Sequence, residues 1–174
     1  MLASFLKHPP ASLADIDWQG WQAVNPATLL FVIKEGEILL IRKKRGLGAG
    51  KINGPGGKLE GTETPLACAL RETHEELGIH AHSPEYCGVH QFQFIDGYSL
   101  LVHVYKASDY SGEPIETDEA IPHWFKLDEI PYAEMWMDDR LWLPLVISGE
   151  KFSGRWLFDG DQMLDYELKC EAAI

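Results

Sequence analysis

The sequence predicts a mixed α/β domain of the α+β type, with a mixed β-sheet sandwiched between helices. Three observations carry this. Apolar and polar residues alternate in several runs, separated by the turn dipeptides Glu35-Gly36, Asp96-Gly97 and Asp159-Gly160. Residues 65–77 keep a helical period between clear end signals. The chain of 174 residues shows no repeat and no internal linker, so it reads as one domain over residues 25–174 behind a leader, residues 1–24.

Taken in order, the leader carries Pro9-Pro10 and the pair Trp18 and Trp21 and is helical at most in part. Deleting residues 1–20 is expected to leave a folded domain. Residues 27–33 and 37–42 are predicted strands of a hairpin turning at Glu35-Gly36. Residues 46–57 form a loop with six glycines, which permit positive φ and close backbone approach to a ligand. In the helix that follows, Thr64 suits the N-cap, Pro65 the first helical position and Gly78 the residue past the end. At about 100° per residue, Leu66, Ala69, Leu70, Thr73 and Leu77 fall on one stripe predicted to pack on the sheet. Residues 85–95 and 98–106 alternate around Asp96-Gly97, a type I′ turn signal. Residues 122–127 read as a strand, and 138–148 as a helix despite Pro144 in its interior. Residues 151–158 and 162–168 close the chain as a hairpin over Asp159-Gly160.

The stretch from residue 57 to 79 holds most of the chemistry. Glu72 and Glu76 lie one helical turn apart with Glu75 beside them, so three carboxylates are expected to converge. Like charges at that spacing weaken a free helix by a few tenths of a kcal/mol per pair. A hard divalent cation, Mg²⁺ or Mn²⁺, reverses that sign, because such ions take oxygen ligands. Taken alone, the three glutamates read equally as a solvated acidic face.

Composition bounds the partners. The net charge of −12 argues against a nucleic acid polymer, whose binding needs many Lys or Arg contacts to phosphate. It leaves a small phosphorylated ligand open. No apolar run is long enough to cross a membrane. Residues 1–10 match neither a secretory signal nor a transit peptide. Cys68, Cys87 and Cys170 are odd in number and lack metal-type spacing, so reduced thiols and a cytoplasmic location are expected. Cys68, inside the helix, reads as a packing residue.

The complete spacing is Gly57, five residues, Glu63, seven residues, Arg71-Glu72, Glu75-Glu76, then Gly78-Ile79. It resembles the Nudix box at every charged and glycine position, with Thr73 where an aliphatic residue is usual. From about residue 27 to 168 the chain further resembles the oxidised purine nucleoside triphosphate hydrolases of that family. The segments that carry this are 43–50 with Asn53-Gly54, Gly112-Glu113-Pro114 through Asp118-Glu119, Trp124-Phe125, 135–139, Trp142 with Pro144-Leu145, and 164–166.

The resemblance implies the Nudix fold and metal-dependent cleavage of a nucleoside triphosphate to monophosphate and pyrophosphate. It implies metal ligation by Glu72, Glu75, Glu76, the Gly57 carbonyl and Glu119, with Glu119 either a ligand or the base. Arg71 is expected to orient a neighbouring carboxylate. Lys43 is implied for a phosphate or the sugar, although Lys43-Lys44-Arg45 reads equally as an exposed basic turn. For the base, the resemblance implies Asn53, Trp136, Asp138 and Asp139, with Thr28, Phe92, Phe94 and Leu100 lining the pocket. Without it, Trp136 is a core or rim aromatic, Phe92 and Phe94 are sheet packing, and Asp138-Asp139 is a solvated helix start. Leu47, Ala120 and Met137 depart from the branch, which has Phe, Met and Pro there. Leu47 and Ala120 are expected to leave the base pocket less tightly walled. Other Nudix diphosphatases acting on dinucleotides, nucleotide sugars or ordinary nucleotides remain open. So does a silent nucleotide-binding module, while an RNA cap hydrolase conflicts with the charge. A monomer is the default.

Overall fold

The computed structural model describes residues 8–171. Its elements are β1 (Asn25–Lys34), β2 (Glu37–Lys43), β3 (Ile52–Asn53), β4 (Gly56–Lys58), α1 (Pro65–Leu77), β5 (His80–His82), β6 (Glu85–Phe94), β7 (Ser99–Ala107), β8 (Asp109–Ser111), β9 (Ala120–Lys126), α2 (Asp139–Ser148), β10 (Lys151–Asp159) and β11 (Gln162–Glu171). The main sheet runs β11-β10-β6-β7-β1-β2-β3, with β4 added to β1 and β9 to β2. Pairs β1/β7 and β6/β10 are parallel and the other pairs antiparallel, so the sheet is mixed. Strands β5 and β8 pair separately; they, the short strands β3 and β4 formed in the expected loop and at its end, and two 3-10 turns, Leu13–Asp15 and Tyr132–Glu134, are elements the sequence pattern did not show.

The sheet buries both faces. One face packs Leu30, Val32, Leu39, Ile41 and Ala120 against Ala69 and Leu77 of α1. The other packs Phe31, Ile38, Leu40, Phe152, Trp156 and Phe158 against Trp142, Leu143 and Val146 of α2. Alternation along β1 and β2 divides the two sets, as period-two side-chain placement requires.

The glycine-rich segment is wedged between β1 and β2, and this opening makes the cavity described below. Strand β1 pairs β2 only over Val32–Lys34 and pairs β4 over Ala27–Leu29. Glycine is required in the wedge by contact. A Cβ on Gly54 would lie 2.5 Å from the Phe31 ring, and one on Gly56 only 1.9 Å from the Thr28 carbonyl oxygen.

Helix α1 is capped as expected: Thr64 Oγ1 accepts from the Ala67 N–H at 3.1 Å, and Gly78 at φ 73° donates to the His74 carbonyl at 2.8 Å. Its buried face is turned from the expected stripe. Leu66 is 40% exposed, while Cys68, Ala69, Glu72, Thr73, Glu76 and Leu77 are buried. The close approach of Gly56 and Gly57 draws Glu72 and Glu76 inward and turns Leu66 out. Thr73 satisfies its buried hydroxyl on the Ala69 carbonyl at 2.7 Å.

Two turns differ from expectation. At Asp96-Gly97 only Gly97 has positive φ. Phe94 N–H donates to the Tyr98 carbonyl at 2.9 Å and Gly97 N–H to the Phe94 carbonyl at 3.1 Å, so this is a three-residue loop with left-handed glycine rather than type I′. The Asp96 carboxylate accepts the Tyr98 N–H at 2.9 Å, a local bond that competes with the primed turn. Asp159 pairs with Gln162, which moves the last loop to Gly160-Asp161. Glu35-Gly36 keeps the tight two-residue form with both φ positive. Helix α2 continues through Pro144 to Ser148.

Candidate active site

The site starts from two carboxylates on one buried face of α1. Glu72 and Glu76 are met by Glu119, just before β9, and ligand atoms from all three lie within 4.8 Å of one another. Burial and the neighbouring Glu72 push the Glu76 carboxyl up to about 8; the Gly56 N–H on its Oε2 at 3.3 Å works the other way. Glu72 is raised too, chiefly by burial, against the pull of Arg71. Such a set of hard oxygens suits a divalent ion, whose charge removes the repulsion that raises these values.

Arg71 orients the cluster from outside the cavity. Its Nε and Nη2 grip Glu63 at 3.0 and 2.6 Å, and its Nη1 donates to Glu72 at 2.9 Å and Glu75 at 3.1 Å. The Glu63 pair is bidentate, the strongest ion-pair geometry for this side chain, and holds the Glu63 carboxyl near 2. Glu75 is therefore turned outward onto Arg71 with its side chain half exposed. The three converging carboxylates are Glu72, Glu76 and Glu119, not the helical trio expected. A helical arc places residues 72, 75 and 76 near one another, but the wedge covers only the 72/76 side.

Gly57 completes the cradle. A Cβ there would sit 2.4 Å from the Glu72 carboxyl carbon. Its carbonyl accepts the Cys68 thiol at 3.5 Å, and Thr28 Oγ1 donates to that sulfur at 3.3 Å. Burial raises the thiol to about 11, consistent with Cys68 as packing.

The cavity between the wedge, β6, β7 and α2 measures about 630 Å³ and brings Glu72, Glu76 and Glu119 into one volume with Thr28, Lys43, Asn53, Phe92, Phe94, Leu100, Trp136, Asp138 and Asp139. Lys43 donates to the Leu47 carbonyl at 2.7 Å, and burial lowers its pKa. Trp136 stands edge-on to Phe94 and Phe158, at 6.2 and 5.8 Å between ring centres. It is also why Gly48 must be glycine: φ is +81°, and a Cβ would meet the indole nitrogen at 2.8 Å. Asn53 holds the Lys51 carbonyl through Nδ2 at 3.2 Å, and its side-chain oxygen meets no protein donor among the described residues.

The aspartate pair is not a solvated helix start. Asp138 and Asp139 are 2% and 7% exposed, and Asp138 makes no side-chain cap bond. Its Oδ2 accepts the indole N–H of Trp142 at 2.7 Å instead. Burial pushes Asp138 up to about 6, and burial plus the adjacent Asp138 charge raises Asp139 well above the carboxylate range. The Trp142 N–H favours charge on Asp138, while burial and mutual repulsion disfavour charge on the pair as a whole.

Several participants escaped the sequence reading. Trp142 lies four residues after Asp138, one helical turn on, and that spacing was the available signal. Tyr98 and Asn25 line the cavity and share a bond from Tyr98 Oη to Asn25 Oδ1 at 3.0 Å. Arg45 holds Glu119 at 2.8 Å. Of the departures, Leu47 lines the cavity and is exposed. Ala120 is fully buried on the α1 face, away from the base pocket it was expected to loosen.

Comparison with known proteins extends this geometry. The family model described as NUDIX domain matches residues 24–146. The chain is 43% identical over 143 residues to the oxidized purine nucleoside triphosphate hydrolase of Danio rerio, covering 81% of this chain and 92% of that one. The Mus musculus protein of the same name is 41% identical over 144 residues, with 82% and 92% covered. A mutator MutT protein from Bacillus halodurans superposes with a TM-score of 0.76 at 28% identity, covering 83% of this chain and 97% of that structure.

Proposed function

The chain belongs to the Nudix hydrolase family, and we propose that it hydrolyses oxidised purine nucleoside triphosphates, of the 8-oxo-dGTP and 2-oxo-dATP class, to monophosphate and pyrophosphate. One observation carries the reading: a single cavity has a carboxylate cluster at one end and a buried aspartate pair among aromatic rings at the other. The names of the relatives from Danio rerio and Mus musculus support the same substrate class.

Glu72, Glu76 and Glu119, with the Gly57 carbonyl, would hold Mg²⁺. Bound there, the ion supplies charge neutralisation for the triphosphate and makes hydroxide accessible near neutral pH. Water supplies the oxygen that joins phosphorus, the α–β phosphoanhydride bond breaks, and one proton leaves. Glu119, the least buried of the three, is placed to exchange that proton with solvent. Lys43, beside Glu76, adds positive charge for phosphate oxygens. Arg71 keeps Glu72 aimed inward, so it is a positioning residue.

At the other end Trp136 offers an indole face on which a purine can stack, worth about 1–3 kcal/mol. Asp139 donates and Asp138 accepts, and exchange of the proton lets the pair match either oxidised purine edge. Asn53 adds an acceptor. The test is a hydrolysis screen of oxidised and normal nucleoside triphosphates with Mg²⁺, identifying each product. The expected result is monophosphate plus pyrophosphate, with 8-oxo-dGTP and 2-oxo-dATP each preferred over dGTP and dATP. Preference for a nucleotide sugar or dinucleotide, or release of inorganic phosphate alone, would sink the reading.

A further inference from the structure

Residues 8–23 precede the region that matches the family model, yet they are tied across the sheet by a series of bonds. Leu13 N–H donates to Asp165 on β11 at 2.9 Å. The Asp15 carboxylate closes the turn on the N–H groups of Ala11 and Ser12. Trp18 donates to the Leu13 carbonyl at 3.0 Å, and the guanidinium of Arg155 on β10 lies 4.9 Å from its ring centre. Trp21, 5.8 Å from Trp18, donates to Gln93 Oε1 on β6 at 2.8 Å. Val24 N–H then donates to Ser99 Oγ on β7 at 2.9 Å.

The last two contacts reach the back of the cavity wall. Gln93 and Ser99 are 3% and 2% exposed, and a buried polar group stripped of its partner is costly. Gln93 also donates to the Phe94 and Tyr98 carbonyls at 2.9 and 3.0 Å, closing the hairpin tip. Side chains alternate along β6, so Phe94 faces the cavity while Gln93 faces the leader. Phe94 and Tyr98 both line the cavity, and Tyr98 is tied to Asn25, the first residue after the leader.

We propose that the leader is a strap that sets the Phe94–Tyr98 wall of the nucleobase pocket from behind, with Trp21 and Gln93 as positioning residues for base binding. The proposal rests on the reading of this cavity as an oxidised purine site. It assigns residues 8–24 to substrate affinity, although none of them lines the cavity.

The test compares wild type with Trp21→Phe, which keeps a ring and loses the N–H, and with Ser99→Ala, which removes the acceptor for Val24. Calorimetry with 8-oxo-dGMP, without metal, reads base binding alone. Steady-state kinetics with 8-oxo-dGTP separate KM from kcat, and amide hydrogen exchange reads residues 94–99. Both variants should weaken monophosphate binding and raise KM by roughly three- to tenfold, with kcat held within about twofold, as expected for misplacement of a binding wall. Exchange should quicken at residues 94–99 and stay unchanged in α1. Gln93→Glu keeps an acceptor for Trp21 but loses both amide donors, so its tip should loosen in the same way. A lowered melting temperature with unchanged 8-oxo-dGMP affinity and unchanged local exchange would reduce the leader to general packing and overturn the proposal. If wild type ignores oxidised purines, the substrate reading fails instead, and the exchange arm still decides whether the strap holds the tip.

Discussion

The two ends of the cavity bury carboxylates in opposite ways. At the α1 end, Glu72 and Glu76 are flanked by Arg71, a backbone N–H and Lys43, and their mutual repulsion is what a bound cation would relieve. At the α2 end, Asp138 and Asp139 line the cavity with Trp136, Trp142 and Phe158, the Trp142 N–H donates to Asp138, and burial and mutual repulsion raise both carboxyls. Desolvation raises carboxyl pKa values at both ends. On the function proposed, what differs is the compensator, an ion at one end and a proton at the other, so that one end would serve phosphate chemistry and the other hydrogen-bond recognition.

The largest expected effect breaks the ion-compensated end. Glu76→Gln and Glu72→Gln should each lower turnover by orders of magnitude, since a lost ligand removes several kcal/mol of transition-state stabilisation and about 1.4 kcal/mol is tenfold in rate. Neither should unfold the protein. In EDTA at pH 8, Glu76→Gln should melt at or above wild type, because the amide removes a buried like charge. Added Mg²⁺ should raise the wild-type melting temperature and leave the variant nearly unmoved. Calorimetric melts with and without Mg²⁺ check both, and equal stabilisation of the two proteins would contradict the assignment of Glu76 to the ion.

Breaking the proton-compensated end should cost selectivity rather than rate. Asp138→Ala combined with Asp139→Ala should abolish the preference for oxidised over normal purines, and the single Asn variants should each shift the ratio of 8-oxo-dGTP to 2-oxo-dATP hydrolysis. A double variant that still discriminates as wild type does would return the pair to a packing role. The stability signature has a definite sign. The folded Asp138 pKa, about 6, lies above its ordinary 3.8. The folded state therefore binds more protons in that window, and stability falls as pH rises through it. Asp139 is raised further and extends the loss to higher pH. Asp139→Asn should gain melting temperature over wild type as pH climbs from 4 to 8, with the smallest difference at the acid end.

How much of this was legible follows from how local each signal is. The long strands, the box helix and its caps were readable because alternation, Thr64 and Gly78 act within a few residues, whereas the short strands β3, β4, β5 and β8 carry too little alternation to show. The Asp96-Gly97 turn misled because the dipeptide fits two turn types and the Asp96 side chain chose between them. Within the box, spacing grouped three glutamates, but which of them is buried depends on where the glycine wedge lands, a tertiary fact. Glu119 joins from the loop just before β9, and only the family resemblance pointed to it. Locally, Asp138-Asp139 reads as a helix start; burial and the Trp142 bond reverse that reading, and again only resemblance found it. The leader's partners Gln93, Ser99 and Asp165 lie 72, 75 and 152 residues from their donors. No pattern in the leader itself announces them.

The smallest expected effect tests whether burial or motif membership decides a glutamate's role. Glu75 belongs to the box as fully as Glu72 and Glu76 do, yet its carboxylate lies half exposed on Arg71. An exposed ion pair of this kind contributes about 0–1 kcal/mol, and Arg71 keeps its bidentate hold on Glu63 without it. Glu75→Gln should therefore leave Glu72 aimed inward and lower kcat by a few-fold to roughly tenfold, far short of Glu76→Gln. Titrating Mg²⁺ in the same assay separates two causes. An unchanged Mg²⁺ midpoint means Glu75 acts through Arg71 alone. A large rightward shift with a large loss of rate would mean that the carboxylate turns inward when the ion arrives, making the phosphate end a site that closes on its metal and the base end the one already formed.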